Sequence, residues 1–74
     1  MEELRITIEG LEETKKFIDW HINDLEDMIN KNYVTAEYTG DYQAEIRECN
    51  GEIRKINQKI ETLKAALEIL EEGN

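Results

Sequence analysis

Residues 42–70 read YQAEIRECNGEIRKINQKIETLKAALEIL, and Tyr42, Ile46, Cys49, Ile53, Ile56, Ile60, Leu63, Leu67 and Leu70 follow one another there at alternating spacings of four and three. An α-helix advances ~100° per residue, so this spacing holds the whole set on one narrow stripe, the seam that a coiled coil buries. Ile46, Ile53, Ile60 and Leu67 take the a positions of the heptad, and Tyr42, Cys49, Ile56, Leu63 and Leu70 take the d positions. Glu45, Glu52, Lys59, Lys64 and Glu71 flank the stripe, where charges select partners through ion pairs. The reading predicts a long helix over 41–72, capped at its start by Thr39 or Asp41 and ended at Gly73. Gly51 falls on its outer face, at a cost of about 1 kcal/mol in helix propensity.

Upstream, Leu11, Ile18, Ile22, Leu25 and Ile29 share a second helical stripe, which predicts a helix over 11–32. Phe17, His21 and Met28 widen that stripe on one side, so this helix is expected to touch two elements. Asn30, Asn32 and Gly40 supply breakers for a connection over 33–40. The first ten residues read differently. Leu4-Arg5-Ile6-Thr7-Ile8-Glu9 alternates apolar and polar residues up to Gly10, which predicts a short strand over 1–10. Such a strand pairs either with the run 33–39 or with a second subunit.

The expected fold is therefore mainly α and forms a single domain: a short N-terminal strand, then a helical hairpin with a long coiled-coil second helix, assembled as an oligomeric bundle. Two arguments carry the assembly. A 74-residue chain buries only ~60 % of its unfolded surface, which leaves a marginal core. The first helix is also shorter than the second, by ~30 Å against ~48 Å at 1.5 Å per residue, so Leu67 and Leu70 outrun it. A homo-oligomer, a dimer or larger, follows.

Composition narrows the partners. There are 18 acids and 9 bases, a formal charge of −9. Residues 1–45 hold 12 acids and 4 bases, net −8, so the negative field belongs to the first half. That sign argues against direct contact with nucleic-acid phosphates or anionic lipid and favours a protein partner with a basic surface, unless the charge serves solubility alone. One cysteine permits no internal disulfide, no apolar run is long enough for a membrane span, and no leader pattern opens the sequence; a cytoplasmic location is expected.

The parts needed for catalysis are missing. No glycine-rich phosphate loop, no Ser-His-Asp order and no interleaved aromatic and basic platform is present, and the carboxylates of the first helix have no apolar surroundings to raise a pKa. His21 reads as a boundary histidine and Cys49 as core filler, since no spacing brings the two together. No enzyme activity, metal or cofactor is expected.

Two surfaces remain. Glu12, Glu13, Asp19, Glu26 and Asp27 populate the solvent side of the first helix, with Trp20 nearly opposite its apolar stripe. The indole is covered by the N-terminal strand, anchors a partner, or simply stands in water. Tyr33, Tyr38 and Tyr42 cluster around the connection, where with Trp20 they could stack on a small molecule held between subunits. In size, acidity and simplicity the chain resembles the small accessory proteins of phages and mobile elements, among them anti-CRISPR and other anti-defence inhibitors. That likeness carries no motif and transfers no site residues. The expected function is a non-catalytic protein–protein interaction module, a small acidic regulator or inhibitor of a larger nucleic-acid-handling complex. The alternatives are a ligand-sequestering oligomer and a purely structural coiled-coil assembly protein.

Overall fold

The computed structural model describes residues 2–73. They form two helices, α1 (Glu2–Asn30) and α2 (Ala36–Glu72), folded back on each other as a hairpin, and there is no strand among the described residues. Of the N-terminal strand expected over 1–10, residues 2–10 are instead the first turns of α1, and Met1 lies outside the described residues. Leu4 and Ile8 are one helical turn apart, and they continue through Leu11, Ile18, Ile22, Leu25 and Ile29 on the same four-three spacing, with Lys15 filling the single polar place in the series. An i, i+2, i+4 alternation fits both periods at its outer members, so only the middle residue distinguishes them. Ile6 is that residue, and it is 61 % exposed while Ile8 is buried. Gly10 does not end the helix; the Thr14 hydroxyl donates to the Gly10 carbonyl at 2.9 Å within it.

The connection is shorter than expected. Asn32 takes a left-handed backbone with φ 59°. Around it the Tyr33 N–H donates to the Met28 carbonyl at 3.0 Å and the Asn32 N–H to the Ile29 carbonyl at 3.2 Å. This nested pair is the Schellman termination, and asparagine is the residue after glycine that best tolerates its left-handed position. The chain then passes Tyr33 and Val34 to Thr35, whose carbonyl accepts the Tyr38 and Thr39 amides as α2 begins. Thr35 rather than Thr39 or Asp41 is the N-cap, without a side-chain cap bond, so most of the run 33–39 is helix and offers no strand partner. Thr39, three residues before Tyr42 and half-buried, continues the spacing of the seam, whereas Tyr38 is exposed. At the far end Gly73 closes onto the Ile69 carbonyl with φ −70°, a right-handed rather than left-handed stop.

Two polar contacts between side chains of the facing helices mark the register. Glu12 meets Lys64 at 3.4 Å and His21 meets Glu45 at 3.5 Å. Both fit an antiparallel alignment of α1 and α2, in which Ile22 and Cys49, both buried, lie near the same level. Ile8, Ile22, Leu25, Cys49 and Ile60 are the buried core. Ile46, Ile53, Ile56, Leu63 and Leu67 are half-buried beside it, and Leu70 is 49 % exposed. With α1 extended to Glu2 it spans ~43 Å against ~55 Å for α2, so Leu67 does not outrun it and the expected length mismatch shrinks from ~18 Å to ~12 Å.

The result is a rod of 58 × 15 × 14 Å with a radius of gyration of 17.0 Å. A compact chain of this length would have ~11 Å. Two helices meet along one line only, so the core is a single layer and no side chain among the described residues is completely enclosed. Among the described residues, no helix is long and apolar enough to cross a membrane.

Candidate functional site

Trp20 lies on the outer side of α1 and is 59 % exposed. With no N-terminal strand, nothing covers it in the way one sequence reading required. Its neighbour is Phe17, three residues earlier and 57 % exposed, and the two rings meet edge to face with centroids 5.4 Å apart at 82°. This geometry sets the positive edge of one ring against the negative face of the other. Phe17 therefore turns away from the hairpin seam, and α1 does not bury the widened core stripe expected of it: Phe17 is exposed, His21 is exposed at the edge of the seam, and Met28 alone of that trio is half-buried. Ile6 is also exposed on this side of the helix, eleven residues before Phe17 and separated from it by Glu9, Gly10 and Glu13.

The carboxylates separate into two groups. At ~100° per residue, Glu13 and Asp27 fall within about 20° of Trp20, whereas Glu12, Asp19 and Glu26 stand about 80–120° round the helix. Glu12 is engaged with Lys64 across the hairpin, and Glu13 is 3.8 Å from Lys16 along its own helix. All five are exposed. The single acidic-aromatic face read from sequence is thus narrower than expected: Glu13 and Asp27 frame Trp20 with Phe17, and the other three line the flank.

The tyrosines do come together. Tyr33, Val34, Thr35, Tyr38 and Tyr42 line an open cavity of about 330 Å³ at the hairpin bend. Tyr33 and Tyr38 are 74 % and 53 % exposed, so within one chain the cavity is a shallow recess.

One juxtaposition has no counterpart in the sequence reading. Register brings His21 of α1 against Glu45 and Cys49 of α2, with a His21 nitrogen, a Glu45 carboxylate oxygen and the Cys49 sulfur all within 4.8 Å of one another. Cys49 Sγ lies 4.0 Å from Glu45 Oε1. Burial pushes the Cys49 thiol above its ordinary value of 9.0, and the negative charges of Glu45, Glu52 and Glu48 push it the same way. The thiol is therefore protonated at neutral pH, the opposite of what a cysteine nucleophile requires. The heptad positions of Cys49 and Ile22 contained the signal for this contact, but only a known pairing register turns them into neighbours.

Compared with protein-family models, with curated proteins and with solved structures, the chain matches none.

Proposed function

We propose that the hairpin is a non-catalytic protein-interaction module whose working surface is the Phe17–Trp20 face of α1, and that it regulates or inhibits a larger, nucleic-acid-handling complex by occupying a basic surface. The observation that carries this reading is the pair of large aromatic rings, each more than half exposed, with Glu13 and Asp27 on the same side of the helix. Exposed aromatics of this size are the residues most often found at the centres of interfaces, where burial of their apolar area drives binding. The surrounding carboxylates, in a chain of charge −9, speed encounter with a positive surface and disfavour phosphates.

Self-association is the second reading. The single-layer core and the exposed Ile6, Phe17 and Trp20 give each hairpin apolar surface that a second copy would cover, closing a four-helix bundle as the simplest dimer. Salt separates the two. Chains of charge −9 repel, so added salt strengthens association between copies, whereas binding to a basic partner weakens as salt screens the attraction. The test is displacement: a basic nucleic-acid-binding protein loaded with labelled duplex is titrated with the hairpin at two salt concentrations. Release of duplex by the wild type, lost in Trp20→Ala and reduced at high salt, supports the inhibitor reading. Release that is equal for Trp20→Ala and wild type would reject Trp20 as the contact.

A further inference from the structure

Glu45 and Cys49 are one turn apart on α2 and so share a face, and α1 delivers His21 to that face from the other side of the hairpin. His21 Nε2 is 3.5 Å from Glu45 Oε1, and Cys49 Sγ is 4.0 Å from the same oxygen. In a tetrahedral zinc site, bonds of ~2.0–2.1 Å to nitrogen and oxygen and ~2.3 Å to sulfur place the donor atoms about 3.3–3.6 Å apart. The two distances to Glu45 Oε1 lie within about half an ångström of that range, and the His21 nitrogen and the Cys49 sulfur lie within 4.8 Å of each other. We propose that His21, Glu45 and Cys49 form an intrachain binding site for a divalent cation of the zinc type.

Donor chemistry selects the ion class. Sulfur and imidazole suit zinc and its first-row neighbours and discriminate against magnesium and calcium, which take oxygen shells. Geometry allows closure without moving a helix: His21 and Glu45 have side chains that are 53 % and 48 % exposed and free to rotate, while the sulfur is fixed in the core between the helices. The carboxylates of Glu48 and Glu52 add negative potential around the sulfur, which favours a cation there. On binding, the Cys49 S–H bond breaks, its proton passes to solvent and a sulfur–metal bond forms, with no change of oxidation state. Three protein ligands leave a fourth position for water on the solvent side. Because one ligand comes from α1 and two from α2, the ion ties the helices together along a core only one layer thick, so the loaded hairpin resists unfolding more than the free one.

Cobalt(II) is the probe, since it reports its own ligands. The reduced, chelator-treated full chain is titrated with cobalt(II) while its absorption is followed. A thiolate-to-cobalt charge-transfer band with strong visible bands of tetrahedral type, saturating at one ion per chain and bleached by zinc, is the expected result. Zinc should also raise the melting temperature, and magnesium should not. His21→Ala and Glu45→Gln alter exposed side chains and are checked for unchanged helicity; each should weaken binding by about tenfold or more, at least what loss of an outer-shell partner costs. Cys49→Ala should remove the charge-transfer band. Cobalt binding without that band, unchanged affinity in His21→Ala, or one ion shared by two chains would each overturn the site. None of these readouts involves a protein partner, so the outcome is independent of the interaction reading above.

Discussion

Arg5, near one end of the chain, donates a guanidinium hydrogen bond to the Glu71 carboxylate near the other and closes the open end of the hairpin. Both side chains are largely exposed, so the pair contributes no more than about 1 kcal/mol. It does show that the N-terminal residues run alongside α2 as helix. Ile8→Ala should therefore cost about 2–4 kcal/mol, the usual loss for a buried isoleucine, while Ile6→Ala should change stability by less than ~0.5 kcal/mol. Urea unfolding followed by circular dichroism checks both. Equal costs at the two positions would return the segment to a strand, whose alternation puts Ile6 and Ile8 on one face.

Lys15 occupies a half-buried place in the apolar series of α1, between Leu11 and Ile18. Its stem packs there while its charge must reach water. Lys15→Leu should stabilise the hairpin by about 1–2 kcal/mol through added apolar burial. A lower urea midpoint in this variant would show that the ammonium group, not the stem, is what the position requires.

The helices were legible in the sequence because the four-three spacing from Tyr42 to Leu70 admits no other periodic structure. The first ten residues were not, because Leu4, Ile6 and Ile8 satisfy a strand until the exposure of Ile6 is known. The bend was misplaced for a related reason: Gly40 looked like a breaker, but the left-handed residue that stops α1 is Asn32 and helix propensity alone does not forbid Gly40 inside α2. At the candidate site, exposure of Trp20 was foreseeable from its angular position. The meeting of His21 with Cys49 was not, since it depends on how one helix is set against the other.

Cys49 should make stability fall at alkaline pH. Its folded pKa lies above the unfolded one, through burial first and then Glu45, Glu52 and Glu48, while His21 of α1 also faces the sulfur. Folding thus favours the protonated thiol: the contribution is complete below the unfolded thiol value of ~8.5 and is lost as pH rises towards the folded value, with a slope of at most about 1.4 kcal/mol per pH unit. Denaturant titrations between neutral and mildly alkaline pH should show a decline that is shallower in Cys49→Ala. Parallel profiles for the two proteins would remove the thiol from the explanation.

Reversing charge should separate the two groups of carboxylates. Glu13→Lys with Asp27→Lys alters the side on which Trp20 stands, and should slow association with a basic partner by about tenfold or more at low salt. Asp19→Lys with Glu26→Lys alters only the flank and should have a smaller effect. Kinetic binding measurements at two ionic strengths distinguish them, with helicity checked in each variant. If neither pair changes the association rate, the acidic surface serves solubility alone.

The proportions of the rod bear on how its assembly is measured. A radius of gyration of 17.0 Å is what a compact chain of about 220 residues would have, roughly three times this length. On a gel-filtration column calibrated with globular standards, a single hairpin of this shape would elute earlier than a globular chain of its own mass. Elution volume therefore cannot count subunits here, whereas light scattering or sedimentation equilibrium, which read mass without reference to shape, can.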